Sequence, residues 1–281
     1  MKTKKEFPAT HSMSTEWFVA DQDGNIALFN FGEDGPIPEQ IDFGDDCGSL
    51  EDISTPDEDG INSLELTDEQ TADMLKRFKP ISSLSKDNEY DCIVQLKDDE
   101  TVRKSFIAAF KKDITCCLSR KERIYLLNWF WDYEASEEEM NKTIDFVKSA
   151  CIGFYQEYYD SEGLYEDTIY PLYCYIQSDA SNFEIPKRTA VPKHPLNVSQ
   201  IPEEKLKKLI HVPVKFSECP GLQIAQYVIC KSYYHYSPDD IEKDGRTYSR
   251  FPKTGGGFCY ILQDQDIEKD GEAPIIFDAE E

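Results

Sequence analysis

The sequence predicts an α+β fold with mixed and antiparallel sheets, a few helices and an N-terminal β-hairpin. Two observations support this fold class. Many short apolar runs are bounded by turn residues, as in strands, whereas fewer segments repeat apolar residues every three or four positions, as in helices. The chain has 281 residues, of which 12% are aromatic, and this composition is typical of a folded protein with a substantial core.

The first predicted element is a hairpin near the N-terminus. Apolar runs at residues 17–20 and 26–31 flank a polar turn cluster at residues 21–25. Within that cluster, Gly24 and Asn25 tolerate the positive φ angles that a tight hairpin turn requires. The residues that follow, 32–62, are rich in Gly, Asp, Glu and Pro, and we expect them to form a long acidic loop with little regular structure.

Two capping boxes mark the starts of the clearest helices. Thr67 with Gln70, and Ser136 with Glu139, have the spacing at which both side chains bind backbone amides of the first helical turn. The first helix is predicted to end before Pro80, since proline cannot continue a helix. The second is predicted to continue to about Tyr159 along an unbroken apolar stripe.

The remaining elements are predicted from apolar patterns of weaker specificity. Strands are expected at 90–96, 114–118, 124–131, 169–177, 223–234, 258–262 and 275–277, and helices at 101–111 and after Pro202. For the pair at 114–118 and 124–131, a hairpin and two buried helix segments both stay open, because short apolar runs do not distinguish them. The hexapeptide Asp-Ile-Glu-Lys-Asp-Gly occurs at 240–245 and again at 266–271, which we interpret as coincident turn chemistry.

The domain organisation follows from these elements. Residues 1–14 are predicted to be a flexible arm. Residues 15–281 are predicted to form a single globular α+β unit, and a division into two lobes near the Pro-rich stretch 178–200 stays open.

The charge of the chain is strongly negative and unevenly distributed. The net charge is −25, and residues 1–75 alone carry −16, because Lys and Arg are absent between Lys5 and Lys76. Only the stretch 187–215 reverses this sign. Such a field repels nucleic acid and anionic membranes and attracts a basic protein partner, which is the partner we predict. The alternative is that the negative surface serves solubility alone.

The sequence favours a cytoplasmic location. No apolar run is long enough for a membrane helix, and no apolar segment follows the basic start, so we expect neither a membrane span nor a secretory signal. The nine cysteines are odd in number and irregularly spaced, a pattern that favours reduced thiols in the core over a disulfide framework.

Motifs for catalysis or cofactor binding were sought and not found. The cysteines and histidines lack the paired spacing of a metal site, and no phosphate-binding glycine motif or G-x-S-x-G sequence occurs. Cys219 lies between His211 and His235 in sequence, but a buried thiol beside a turn explains it better. We therefore assign no catalytic residue, no metal site and no cofactor, and the 55 acidic residues allow no choice of a catalytic pair.

Acidic and aromatic side chains are the candidates for a binding site. Acids of the first quarter of the chain would attract the partner, and tyrosines would supply buried contact area. A sheet with an amphipathic aromatic face is the alternative explanation of the tyrosines. The predicted binding residues are Asp21, Asp23, Glu33, Asp34, Asp45, Asp46, Tyr233, Tyr234 and His235.

A loose group of uncharacterised bacterial proteins resembles this chain over about a fifth of its length. The resemblance lies in the pattern W-F-x-x-D-x-x-G-x-x-A-x-F-x-x-G-E-x-G, which begins at Trp17, and in the Pro-rich stretch from Pro186 to Pro202. Some members of the group resemble immunity proteins that accompany secreted toxins. The resemblance implies a binding protein and assigns no catalytic residue.

Together these observations lead to one functional hypothesis and two alternatives. We expect a non-enzymatic cytoplasmic protein-binding protein, and specifically an immunity protein that neutralises a basic toxin through its acidic surface. The first alternative is an enzyme of unfamiliar type with acidic catalytic residues in a cleft. The second is a mimic of nucleic acid, which would need carboxylates at near-phosphate spacing on one face.

Overall fold

The computed structural model describes residues 15–31, 37–41, 50–82, 91–128, 136–157, 170–177, 185–207, 209–230 and 239–279. These residues form five α-helices and three β-sheets with mixed and antiparallel strands, so the predicted α+β class is confirmed. The predicted N-terminal hairpin is confirmed as well. The predicted flexible arm, residues 1–14, lies outside the described residues.

The elements are as follows. The strands are β1 (Thr15–Ala20), β2 (Ile26–Phe31), β3 (Thr55–Pro56), β4 (Asn62–Ser63), β5 (Phe78–Pro80), β6 (Asp91–Leu96), β7 (Ile114–Ser119), β8 (Ile124–Asn128), β9 (Cys151–Glu157), β10 (Tyr173–Gln177), β11 (Lys187–Ala190), β12 (Ile210–His211), β13 (Ile241–Lys243), β14 (Arg246–Pro252), β15 (Phe258–Leu262) and β16 (Ile276–Asp278). The helices are α1 (Asp68–Arg77), α2 (Glu100–Phe110), α3 (Glu137–Ala150), α4 (Glu203–Leu206) and α5 (Ile267–Asp270). No helix within the described ranges is long and apolar enough to cross a membrane.

The chain divides into two compact units. The first unit draws on residues 1–52, 172–198 and 206–281, and the second on residues 53–171 and 199–205. The first unit contains a five-stranded and a four-stranded sheet, and the second contains a seven-stranded sheet.

The five-stranded sheet has the order β11-β10-β2-β1-β12, with antiparallel pairing of β1 and β2 and parallel pairing of β2 and β10. The register places Trp17 opposite Phe29, and Phe29 opposite Tyr175. Opposed residues share a face, and these rings stack, with centroids 5.1 Å apart for Trp17 and Phe29 and 4.7 Å apart for Phe29 and Tyr175. A fully buried aromatic ladder therefore crosses three strands of this sheet.

The four-stranded sheet is an antiparallel meander with the order β13-β14-β15-β16. One of its faces is buried, where Phe251, Cys259 and Ile261 pack against Ala225 in a small core. Because side chains alternate between the two faces of a strand, the neighbouring residues along β14 and β15 belong to the opposite face.

The seven-stranded sheet of the second unit has the order β3-β4-β7-β8-β6-β9-β5. Helices α2 and α3 contribute Phe106, Phe110 and Val147 to a core that also contains Val94 and Leu127 of the sheet. Burial of these side chains, at about 1.5–3 kcal/mol each, is the main force that stabilises this layer.

Both predicted capping boxes are confirmed. The Thr67 hydroxyl accepts from the Gln70 amide at 3.1 Å, and the Gln70 side chain accepts from the Thr67 amide at 2.9 Å. Ser136 and Glu139 make the same reciprocal pair. For 114–118 and 124–131, where a hairpin and two buried helix segments both stayed open, the described part is a hairpin in which β7 and β8 are antiparallel.

Two predicted elements are wrong over their described parts. The helix expected to continue to Tyr159 ends at Ala150, and β9 follows at once because its backbone pairs with β6. The strand expected at 223–234 begins as a short 3₁₀ helix, Ile224–Gln226. In both segments the apolar spacing fits more than one conformation. Strand pairing or core packing stabilises a conformation that differs from the predicted one.

The repeated hexapeptide adopts two different structures. In the first copy, β13 leads into a two-residue turn in which Asp244 and Gly245 have φ angles of 53° and 73°. In the second copy, residues 267–270 form α5, and Gly271 ends it with φ 92°. The glycine has positive φ in both copies, as the turn interpretation expects, whereas only the first copy has a neighbouring strand, β14, with which to pair.

The β1–β2 turn generates the first testable prediction. Gly24 has φ 80°, and a Cβ atom at this position would lie 2.8 Å from the Val198 side chain. We expect Gly24→Ala to lower the free energy of unfolding by about 2–4 kcal/mol, since the strained φ adds to the steric overlap.

Gly255→Ala is the matched control for this prediction. Gly255 has φ 87°, and no atom lies within 4 Å of the added Cβ, so only the φ penalty of about 1–2 kcal/mol applies. Urea unfolding of both variants, followed by fluorescence, separates the two costs. Equal loss in the two variants would contradict the close packing at Gly24.

Candidate functional site

The predicted binding residue Asp21 has a structural role. Its Oδ1 atom accepts from the backbone amides of Asp23 at 2.9 Å and Asn25 at 2.8 Å, which closes the β1–β2 turn. Its Oδ2 atom accepts from the backbone amide of Phe216 at 3.1 Å, and the residue is only 3% exposed. A docking role does not fit this placement, because the carboxylate is already occupied by the backbone of its own chain.

The predicted binding residue Asp23 is exposed but has a cationic partner. Its carboxylate lies 3.1 Å from Lys215 Nζ, and this contact raises the pKa of the Lys215 ammonium. Lys215 belongs to the positively charged stretch 187–215, so part of the charge asymmetry of the sequence is cancelled within the first unit. An exposed ion pair of this kind contributes at most about 1 kcal/mol.

A second turn repeats this arrangement in the other unit. Asp57 Oδ1 accepts from the amides of Asp59 at 2.8 Å and Ile61 at 3.1 Å, and Gly60 has φ 71°. Asp59 in turn lies 2.5 Å from Arg103 Nη1. The sequence pattern Asp-x-Asp-Gly is thus a turn module in which the first carboxylate holds backbone amides and the second carboxylate binds a cation.

Further acids of the first quarter are also paired. Asp57 lies 3.3 Å from Arg120, and Asp68 lies 2.5 Å from Lys121. These cations come from later parts of the chain, where the sequence alone does not associate them with the acids. The described part of the acidic segment is therefore less available to an external partner than its sequence indicates. The other predicted binding residues lie outside the described residues: Glu33, Asp34, Asp45, Asp46, Tyr233, Tyr234 and His235.

A cluster of ionisable groups with shifted pKa values includes Arg103, Tyr125 and Cys117. The Arg103 guanidinium donates hydrogen bonds to the carboxylates of Glu100 and Asp59, and these contacts raise its pKa. Burial raises the pKa of Tyr125 to about 12 and that of Cys117 to about 11. These shifts keep the arginine charged and the phenol and thiol neutral, which are the states that stabilise a structural cluster rather than those of a nucleophile or general base.

The described cysteines with shifted pKa values are likewise protonated thiols. Burial raises the pKa of Cys259 to about 11 and that of Cys151 to about 12. Burial also raises the pKa of Cys219, whose backbone carbonyl accepts from the Tyr175 hydroxyl at 2.7 Å. Among the residues that the structure describes, no group of His, Cys, Asp and Glu could hold a metal ion.

The outer face of the four-stranded sheet carries a cluster of aromatic rings that we call the aromatic face: Tyr248, Phe258, Tyr260 and Phe277. The register places Tyr260 opposite both Arg250 and Phe277, so these residues share the face opposite to the buried core of the sheet. The ring of Phe277 lies 5.1 Å from that of Tyr248 and 5.4 Å from that of Tyr260. The rings of Tyr248, Tyr260 and Phe277 are therefore in contact across three strands.

The aromatic face is accessible except at Tyr248, which is buried, and it binds two cations of its own chain. Phe258 is 45% exposed, and Tyr260 and Phe277 are half-buried. Lys243 Nζ lies 4.2 Å from the centroid of Phe277, and the Arg250 guanidinium lies 3.9 Å from the centroid of Phe258. Both distances fit cation–π interactions, which are worth about 0.5–1 kcal/mol at exposed sites.

The aromatic face was not predicted from the sequence, although the spacing of its residues along two strands indicates it. Tyr248 and Arg250 are two positions apart in one strand, and Phe258 and Tyr260 are two positions apart in the next. Each pair therefore lies on one face of its strand. The choice of which face is buried depends on Ala225 and its neighbours, which cover the other side.

Comparisons with protein-family models, with curated proteins and with solved structures found no match for this chain.

The role of Asp21 can be tested with Asp21→Asn. Asparagine retains an oxygen for the turn amides but places an NH₂ group against the Phe216 amide, where an acceptor is needed. We expect a loss of about 1–3 kcal/mol in the free energy of unfolding. Asp23→Asn, which removes only the exposed pair with Lys215, should cost less than about 1 kcal/mol. A smaller effect of Asp21→Asn than of Asp23→Asn would contradict the structural role.

The state of the buried thiols can be tested by alkylation. With a pKa of about 11, Cys117 and Cys259 are thiolates in roughly one molecule in ten thousand at pH 7. We expect iodoacetamide to leave both unmodified in the native chain and to modify both in urea, as mass spectrometry of peptides would report. Rapid labelling of Cys117 in the native chain would instead indicate an activated cysteine and favour the enzyme hypothesis.

Proposed function

We propose that this chain is a non-enzymatic protein-binding protein that docks its partner on the aromatic face. The carrying observation is the accessibility of Phe258, Tyr260 and Phe277 on a sheet whose other face is already buried. Aromatic residues and arginine are enriched in the cores of protein–protein interfaces, because they bury large areas with few rotatable bonds. Arg250 lies over Phe258, so the face also contains an arginine.

The chemistry of the polar clusters supports binding over catalysis. The carboxylates of Asp21, Asp57 and Asp59 accept hydrogen bonds from turn amides or arginine, and these bonds stabilise the fold. The thiols of Cys117 and Cys259 have raised pKa values, which disfavour nucleophilic attack. Each of these groups thus has a structural explanation that needs no substrate.

Toxin neutralisation is the particular role that we propose for this binding activity. Its support is the resemblance of the segment that begins at Trp17 to bacterial proteins of which some resemble immunity proteins, together with a net charge of −25. A reducing, cytoplasmic location is part of the proposal, and it agrees with the burial of Cys116, Cys117, Cys151 and Cys259 as thiols.

The experiment is an affinity capture with matched surface variants. The full chain is immobilised, exposed to a native lysate of the source cells, and compared with Phe258→Ser and with Tyr260→Ala/Phe277→Ala. The control is Ile152→Ala, which removes an exposed apolar side chain (65% exposed) from the second unit. We expect the same partner on the wild type and on the control, and a loss of at least about tenfold with the aromatic-face variants.

The readouts separate folding from binding. Circular dichroism of each variant checks that it is folded. If the double variant is unstable, Phe258→Ser still tests the face, because it alters only an exposed position. Co-expression then tests the particular role, since the chain should restore growth to cells that express a toxic partner. Equal capture by all variants, or capture of no partner by the wild type, would contradict the proposal.

A further inference from the structure

We infer that the aromatic face receives a cationic segment of the partner, whose arginine or lysine side chains lie over Phe277 and Tyr260. This inference rests on the proposed function and specifies the chemistry of the docked segment. It also moves the contact for a basic partner away from the Asp21 turn, where the carboxylates are occupied.

Two rings of the aromatic face already bind cations of their own chain. The ammonium of Lys243 and the guanidinium of Arg250 lie over Phe277 and Phe258 at 4.2 Å and 3.9 Å. Lys243 is an exposed residue on the three-residue edge strand β13, so its long side chain can move aside at little cost. A guanidinium from a partner can then take the same position, and arginine binds aromatic faces more often than lysine does.

Several carboxylates lie at one end of this sheet. The turn at Asp244 begins β14, and β15 ends at Leu262, where the amide donates to Ile275. The turn and the segment 263–275 therefore lie at the same end, and Arg246 and Asp270 join them by an ion pair. The exposed acids of this end that have no ion pair within the described residues are Asp244, Asp264, Asp266, Glu268 and Glu272.

The basic residues of this region are too few to balance its acids. Arg250 is paired with Asp239, and Lys253 with Asp278. Residues 239–279 carry ten acidic and five basic residues, so the surroundings of the aromatic face are net negative. An acidic rim beside accessible rings complements a strand or loop that presents arginine or lysine. An acidic or purely apolar segment would gain from the rings but not from the rim.

The experiment uses a synthetic peptide that alternates arginine with serine, and a counterpart with citrulline in place of arginine. Citrulline keeps the planar shape of the side chain but has no charge. Binding of each fluorescent peptide to the full chain is measured by anisotropy at low and at high salt. We expect the arginine peptide to bind at least about tenfold more tightly than the citrulline peptide, with the difference reduced by salt.

Two variants and a matched control locate the contact. Phe277→Leu keeps apolar bulk but removes the ring, and should weaken the arginine peptide by about threefold to tenfold. Asp264→Asn/Asp266→Asn should weaken it by about threefold or more and flatten its salt dependence. Glu137→Gln/Asp145→Asn removes two exposed charges from α3 in the second unit and should change the affinity by less than about twofold.

Several outcomes would overturn the inference. Equal binding of the two peptides, an unchanged affinity of Phe277→Leu, or an equal loss in the α3 control would each indicate that ring-bound cations are not recognised. Dimerisation of the chain that Phe277→Leu abolishes would assign the face to a second copy instead. If the captured partner depends on Tyr260 and Phe277 but the arginine peptide does not bind, only this inference fails. If the peptide binds but the captured partner ignores the face, the proposed function fails.

Discussion

The need to satisfy buried backbone amides at the β1–β2 turn is the constraint on which the first unit depends. Asp21 meets it with one carboxylate that binds the amides of its own turn and the amide of Phe216. Phe216 in turn packs against Tyr173 and Tyr175 of the five-stranded sheet. One side chain thus links the hairpin, a distant loop and the aromatic core, and an unsatisfied amide at this depth would cost about 1–3 kcal/mol.

The same constraint explains where much of the acidity of the N-terminal quarter goes. In each Asp-x-Asp-Gly turn the first carboxylate serves as a backbone acceptor, and the second lies against a cation, Lys215 in one unit and Arg103 in the other. A run of acids in sequence therefore does not translate directly into an acidic surface. The exposed acids without an ion pair at the end of the four-stranded sheet are fewer than the acids of the N-terminal quarter. They are more available to a ligand than the acids of the two turns.

The four-stranded sheet differs from the other two in how its second face is used. The aromatic ladder of the five-stranded sheet is fully buried, and Phe106, Phe110 and Val147 of the helices pack against the seven-stranded sheet. The meander also buries one face, but its other face holds the exposed ring of Phe258 and the half-buried rings of Tyr260 and Phe277. Cations of the same chain lie over Phe258 and Phe277. A hydrophobic surface that is kept accessible and is rimmed by charge is typical of an interaction site.

Elements with local signals could be predicted from the amino-acid sequence. The capping boxes at Thr67 and Ser136, the N-terminal hairpin and the α+β class follow from side-chain chemistry within a few residues. Three other features depend on tertiary contacts. Cys151 begins a strand, one hexapeptide forms a hairpin turn in one copy and a helix in the other, and Asp21 is buried. Those outcomes depend on contacts between residues far apart in the chain, such as β9 with β6 and Asp21 with Phe216, and local sequence patterns carry no record of such distances.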